Sequence, residues 1–372
     1  MSIVRFWSIP VLDNPPAFYT AKEQAAVDAA PSTAIVAQQY DALIQRHGPH
    51  PFFLVQLGIL NRLINTPATS VALYRQAQAE LARMGIDDPQ LDSWIEARQA
   101  ELDKNAQVAL AKSKTDLYYQ IWKPSKEHKF PPQAPMPPSG HDQVKEAWNQ
   151  MFPQGSSLFK KYLSSLAIET NHLEGTFLIT VTAYELLPAV VADPSKLTPD
   201  LIRDVHARLT KTNSFGETYI PPGQTRTLTK KTVVTAGNYK IQCCPFPDVD
   251  NELDYICKMA KQYIKNWRNP FATASWIHLL LARCHPFNDG NGRTARLIPS
   301  IPLMMYEYPP LSIGLTQRSD YYDGMNKARL TPYSRSEPRL TELCQAYDGD
   351  HMPLIEYMLR GTEITMASVR SI

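Results

Sequence analysis

The 372-residue sequence predicts an all-α fold: a helical bundle interrupted by one short β-hairpin and preceded by a helical N-terminal domain. Three observations predict it. Apolar residues recur at three- and four-residue spacing along much of the chain, as in Leu73, Ala77, Leu81 and Met84, which share one helical face. Prolines outnumber glycines, 31 to 15, and divide the chain into helix-length segments that often begin at a capping residue. One stretch, residues 224–247, instead alternates β-branched and polar residues around the turn-like Ala236-Gly237-Asn238.

Composition narrows the function classes. Lysine plus arginine total 38 against 36 acidic residues, a net charge of +2, so the chain is not a polybasic nucleic-acid binder. With 44% hydrophobic and 20% charged residues it reads as globular. Its five cysteines, at 243, 244, 257, 284 and 344, form neither a disulfide framework nor a metal-ligand spacing, which suits a reducing compartment. No run approaches the ~18 apolar residues of a membrane span. The expectation is a soluble cytoplasmic or nuclear protein with no membrane or nucleic-acid partner.

In chain order, residues 1–122 read as the helical N-terminal domain, its role open between helix packing and partner binding. Gly85 ends the helix containing Leu73 to Met84. Leu91, Trp94 and Ile95 open another after Pro89, running to about Tyr119, so the two suggest a helical hairpin. Residues 123–140 contain Pro124, Pro131, Pro132, Pro135, Pro137 and Pro138 and are expected to form a stiff linker. Residues 141–360 are the expected catalytic domain. Thr198 caps a helix whose first residue is Pro199, and His206 inside it reads as a packed histidine. The hairpin follows, then helices over Glu252–Trp267 and Phe271–Arg283, the second apolar enough to be central.

That central helix runs into His285-Pro286-Phe287-Asn288-Asp289-Gly290-Asn291-Gly292-Arg293-Thr294-Ala295-Arg296. Pro286 stops it. Gly290 and Gly292 permit unusual backbone conformations, and a new helix near Asn291 points successive N–H groups into an anion-binding concavity. Arg293 and Arg296, three apart, can reach phosphate oxygens. Asp289 beside such a nest suits Mg²⁺, which takes one or two carboxylates with phosphate oxygens and water. Histidine is the side chain whose ordinary pKa suits general-base work near neutrality, which makes His285 the candidate base.

These twelve residues match every position of the Fic signature His-x-Phe-x-Asp/Glu-Gly-Asn-Gly-Arg-x-x-Arg, so the chain resembles the Fic/DOC family from about Ser156 to Leu340. The resemblance implies a Fic helical bundle with a β-hairpin flap, and Mg²⁺-dependent transfer of AMP from ATP to a serine, threonine or tyrosine hydroxyl of a target protein. It implies that His285 takes the hydroxyl proton and Asp289 holds Mg²⁺. Gly290, Asn291 and Gly292 would stabilise phosphate charge, Arg293 the β-phosphate and Arg296 the γ-phosphate, with Phe287 anchoring the loop. Thr232, Val233 and Val234 in the Thr232–Ile241 hairpin would align the target by strand addition, and Tyr322 of the Tyr321-Tyr322 pair would line the base pocket. Gly223-Gln224-Thr225-Arg226 stands where a glycine-aromatic-arginine pattern is expected. Arg329 stands where relatives place an adenosine-contacting asparagine, which leaves UTP, GTP or a diphosphate-linked donor open.

Many Fic proteins carry an inhibitory helix with the pattern Ser/Thr-x-x-x-Glu-Gly/Asn. Thr170-Asn171-His172-Leu173-Glu174-Gly175 fits it fully, within a helix expected at about 160–176; Ser165 to Glu169 fits in part. The resemblance implies that Glu174, with Glu169 as fallback, pairs with Arg296 and blocks the γ-phosphate. Two alternatives share this site: a hydrolase that removes AMP from modified proteins, and a silent ATP-binding regulatory module. A homodimer is common among such proteins.

Overall fold

The computed structural model describes residues 9–118, 120–131, 134–173, 181–210, 214–215, 218–219, 222–235, 240–266, 269–313, 318–329 and 350–371. Among the described residues the regular elements are helices and two short hairpins, and the chain divides into two units.

The first unit holds residues 1–115 together with 213–221 and 228–231. Its helices are α1 (Pro10–Asp13), α2 (Ala21–Asp28), α3 (Thr33–His47), α4 (Pro51–Leu63), α5 (Pro67–Arg83) and α6 (Pro89–Thr115). Thr20 opens α2 with a capping box to Glu23, and prolines start α4, α5 and α6. Helix α4 is the axis. Leu54, Val55 and Ile59 pack with Val71, Tyr74, Leu81, Leu91 and Ile95 in one cluster, and Phe52, Phe53, Leu57 and Leu60 with Ala34, Ala37, Tyr40 and Leu43 in the other. The expected α5–α6 hairpin is present, closed by Tyr74 against Trp94 edge-on at 4.5 Å. Gly85, at φ +73°, follows α5.

The second unit holds residues 116–212, 222–227 and 232–372. Its helices are α7 (His141–Met151), α8 (Ser157–Leu173), α9 (Leu187–Ala192), α10 (Pro199–Thr210), α11 (Arg226–Thr229, which straddles the unit boundary), α12 (Val249–Lys265), α13 (Pro270–Cys284), α14 (Asn291–Leu297), α15 (Ser300–Met305), α16 (Arg318–Arg329) and α17 (Met352–Arg370). Helix α13 is buried along nearly its whole length and packs against α12, α14, α15 and α17. Its continuous apolar sequence has that cause: it is surrounded by helices, so no face is left for polar residues. Thr198 caps α10 through its hydroxyl, which accepts the Leu201 N–H at 3.2 Å.

Three boundaries differ from expectation. Residues 123–140 group with the second unit and lie along it: the Asn269 side chain donates to the Ala134 and Met136 carbonyls, the Ser125 N–H donates to Glu252, and Phe130 packs on Tyr263. A proline-rich segment has few N–H groups, so donors from neighbouring side chains satisfy its carbonyls. The short hairpin of β1 (Ser214–Phe215) and β2 (Thr218–Tyr219) groups with the first unit although it lies far along the chain. The second unit also continues past residue 360 through α17, whose Leu354, Ile355 and Met358 are fully buried.

The other hairpin joins β3 (Val234–Thr235) to β4 (Ile241–Gln242), with Val234 opposite Gln242 and Thr235 opposite Ile241. On its far side β4 meets Gln120 in a parallel bridge, the Gln242 N–H donating to the Gln120 carbonyl at 2.9 Å. This leaves β3 as the outer edge of the ribbon among the described residues.

Candidate active site

Helix α13 ends at Cys284 and hands the chain to His285, which takes the left-handed conformation (φ +49°, ψ +57°) that usually selects glycine at this position. Its N–H still closes the last turn on Leu281, and its Nδ1 faces the Ala282 carbonyl at 3.4 Å. The proton therefore belongs on Nδ1, which leaves Nε2 as the basic nitrogen.

A brace holds the turn from behind. Arg226 is wholly buried; its Nε donates to the His285 carbonyl at 2.6 Å, and its Nη2 donates to the carbonyls of Cys284 at 2.9 Å and Cys244 at 2.6 Å. Its backbone N–H donates to the Pro286 carbonyl at 2.7 Å, and neighbouring Thr225 bridges to Phe287. Burial pulls the Arg226 pKa down, opposed by the thiols of Cys243, Cys284 and Cys244. Burial alone would raise the Cys243 thiol, yet His285, Arg226 and Arg283 bring it to about 7.

His206 of α10 lies flat on Phe287, ring centres 3.7 Å apart and planes 10° from parallel. The Gly223 N–H donates to its Nδ1 at 3.0 Å, so Nε2 carries the proton and donates to the Asp289 carbonyl at 2.9 Å. Burial drives its pKa down to about 3, with the bond to Asp289 acting against the shift and the charge of Arg293 adding to it. His206 is thus a neutral staple, as its place inside a helix suggested.

Gly290 needs to be glycine. It caps α14 at φ +74°, and a Cβ there would lie 3.0 Å from Thr210 Cγ2 and 3.1 Å from the His206 ring. The Gly290 carbonyl accepts the Thr294 N–H and hydroxyl, each at 3.0 Å. Gly292 lies in the first turn of α14, half-buried. The Asn291 side chain is committed to Phe287, accepting its N–H and donating to its carbonyl, both at 2.8 Å. These two bonds shape the loop between His285 and α14.

Arg293 is buried, donates to the Leu209 carbonyl at 3.5 Å, and its Nη2 lies 3.6 Å from the exposed carboxylate of Asp289. Arg296 is buried too and donates from Nε to the Thr170 hydroxyl at 2.9 Å and from Nη2 to the Thr170 carbonyl at 3.0 Å. Glu169 accepts from the Ser312 hydroxyl at 2.5 Å and from Thr365 at 3.1 Å. Glu174 lies outside the described residues. Tyr321 is buried and donates to His278 Nε2 at 2.8 Å while His278 Nδ1 donates to the Ala295 carbonyl at 2.6 Å; Tyr322 beside it is 40% exposed. Thr232, Val233 and Val234 lead into and form the start of β3, and the Val233 carbonyl accepts the Cys243 N–H at 3.3 Å. The Arg329 side chain lies outside the described residues.

The partners of His206 and of Arg226 are not legible in the sequence. Each joins segments tens of residues apart, and the one available signal was the glycine-x-x-arginine spacing of Gly223 and Arg226.

Residues 196–303 match the Fic/DOC family. A protein adenylyltransferase Fic from Nematostella vectensis is 42% identical over 98 residues, 26% of this chain and 19% of that protein. The adenylyltransferase fic-1 of Caenorhabditis elegans is 27% identical over 121 residues, 30% of this chain and 20% of that protein. The matched stretch thus spans about a fifth of these relatives' length. Among solved structures, a Fic-1 fragment from C. elegans covers 94% of this chain and 97% of its own at 15% identity and a TM-score of 0.42. A Fic-domain signalling protein from Bacteroides thetaiotaomicron covers 63% of this chain and 97% of its own at 19% identity and a TM-score of 0.44. Residues 196–303, the stretch that matches the Fic/DOC family, contain His285, the Gly290–Gly292 turn and both arginines.

Proposed function

We propose that this protein is an autoinhibited adenylyltransferase that moves AMP from ATP to a hydroxyl of a target protein. The observation that carries the reading is the unbroken run His285 to Arg296, in which the base, the exposed carboxylate and the buried arginines all occupy one helix-loop-helix turn. The names of the relatives that match over this stretch support the same chemistry.

His285 Nε2 accepts the proton of the target hydroxyl as its oxygen attacks the α-phosphorus of ATP. The bond from that phosphorus to the bridging oxygen breaks, pyrophosphate leaves, and the target keeps a phosphodiester to AMP. Backbone amides of the Gly290–Gly292 turn and the Arg293 guanidinium meet the phosphate charge. Asp289 is the residue that would hold Mg²⁺: it is exposed at the mouth of the nest, and magnesium needs only one or two carboxylates when substrate phosphates and water complete its shell. The ion supplies neutralisation of phosphate charge when bound. The outer edge of β3, with Thr232, Val233 and Val234, offers main-chain groups to an extended target segment.

Inhibition is assigned to Glu174. Arg296, which the γ-phosphate requires, is already engaged by Thr170, the first residue of the inhibitory pattern, which supports a resting state in which that arginine is withheld. Glu169, held by Ser312 and Thr365, is the less suited of the two glutamates.

The test is incubation of wild type, Glu174→Gly and Glu174→Gly/His285→Ala with Mg²⁺ and α-labelled ATP, GTP or UTP. Strong self-labelling by the glutamate variant alone, from ATP, is expected. Labelling that survives loss of His285, or none from any nucleotide, would overturn the reading.

A further inference from the structure

We propose that Arg226 is a positioning residue that sets the aim of His285; the proposal rests on His285 acting as the base. Helix C-termini leave carbonyls without intrahelical donors. Here the carbonyls of Cys284, His285 and Pro286 all accept from Arg226, two from its guanidinium and one from its backbone N–H, and a further guanidinium bond reaches Cys244 at the end of the flap. One residue thereby ties the base to the hairpin that presents the target.

The chemistry of the clamp points to arginine in particular. A planar fork of donors can meet three diverging carbonyls at once; an ammonium is a single point and cannot. A wholly buried cation surrounded by carbonyls is a costly way to fill space. What it secures is the left-handed conformation of His285, which a non-glycine residue adopts only when its surroundings enforce it. Rotation of that one residue would swing the imidazole away from the nest.

The nucleotide side of the loop is shaped by different bonds: Asn291 to Phe287, His206 to Asp289 and Thr294 to Gly290. Loss of the clamp should therefore separate chemistry from binding. Arg226 variants lower the rate of transfer while ATP affinity holds, whereas a residue needed only for folding would lower both together.

The experiment uses the full chain carrying Glu174→Gly, with Arg226→Lys, Arg226→Gln or Arg226→Ala added. Transfer rate from α-labelled ATP, the ATP dissociation constant by calorimetry, and the rate at which diethylpyrocarbonate modifies His285 are measured, the last read by mass spectrometry against His47. The expected result is at least a 100-fold fall in kcat with the ATP dissociation constant within threefold, and at least a threefold change in modification of His285 with His47 unchanged. In Arg226→Ala, added methylguanidinium restores at least tenfold of the lost rate and methylammonium does not. Equal losses of ATP affinity and rate, unchanged modification of His285, or equal rescue by both cations would overturn the proposal. If the Glu174→Gly parent transfers no label, the transferase reading fails, and the modification rate still tests the clamp.

Discussion

Arg296 donates twice to Thr170, to the hydroxyl at 2.9 Å and to the carbonyl at 3.0 Å. The second arginine of the 285–296 turn is thus tied to α8. The backbone half of this contact survives any substitution at position 170, so the side-chain half can be removed alone.

Thr170→Val keeps the shape of the buried side chain and deletes the hydroxyl. A hydrogen bond to a charged donor is worth about 1.5–3 kcal/mol, and part of that now opposes the arginine's movement toward a γ-phosphate. ATP affinity, measured calorimetrically, should rise about three- to tenfold and self-labelling should increase, both by less than in Glu174→Gly. Unchanged affinity would mean that Thr170 does not restrain Arg296.

Asn291→Ala should loosen the loop from within. It strands the N–H and the carbonyl of Phe287, each of which loses its Asn291 bond. An unsatisfied buried polar group costs about 1–3 kcal/mol, so the melting temperature should fall and labelling should be lost. Asn291→Asp keeps the acceptor and loses the donor, and its stability should lie between wild type and Asn291→Ala.

Sequence and structure agree most closely where the cause is local. Proline and Thr198 place the start of α10, and the unbroken apolar run of α13 announces a helix with neighbours on every side. The turn from His285 to Arg296 is readable because its proline and glycines act locally, ending α13 and opening α14. What escaped depends on contacts between distant segments. Arg226 stands out in sequence only as the arginine of Gly223-Gln224-Thr225-Arg226; the fold carries it under Cys284 and His285. The 123–140 segment looked like a spacer because its prolines resist helix and sheet, yet Asn269 and Glu252 tie it to the second unit. The β1–β2 hairpin was missed because two-residue strands carry no periodicity to read.

His206 predicts how stability responds to acid. Its pKa falls from the ordinary value of 6.5 to about 3 on folding, so between those limits the unfolded chain binds the proton and the folded chain does not. The contribution is fully present above pH 6.5 and is lost as pH falls toward 3. Each pH unit in that window costs about 1.4 kcal/mol, or ~2 kcal/mol from pH 6.5 to pH 5. His128, also depressed by burial, to about 4, adds in the same direction. Urea unfolding at pH 7 and pH 5 should show His206→Gln losing roughly 2 kcal/mol less than wild type over this interval; identical losses would place the titration elsewhere.

The first unit offers a test of packing that does not involve catalysis. Gly58 lies in α4 where the ring of Tyr74 crosses it, and a Cβ there would come within 2.9 Å of Tyr74 Cε1. Ser70 Oγ donates to the Gly58 carbonyl at 2.7 Å, holding α5 close at the same point. The ring is wedged between this glycine and Trp94, so it has little room to yield. Glycine in a helix interior is otherwise unfavourable by roughly 0.5–1 kcal/mol relative to alanine, so a helix-propensity argument alone says that Gly58→Ala stabilises. Overpacking costs about 1–3 kcal/mol, and the clash should win: Gly58→Ala lowers the unfolding free energy. Tyr74→Leu, which removes the ring, should make the same substitution neutral or favourable. A double-mutant cycle measured by urea unfolding reads the coupling directly, and additive effects would show that the close approach of α4 and α5 does not depend on the missing Cβ.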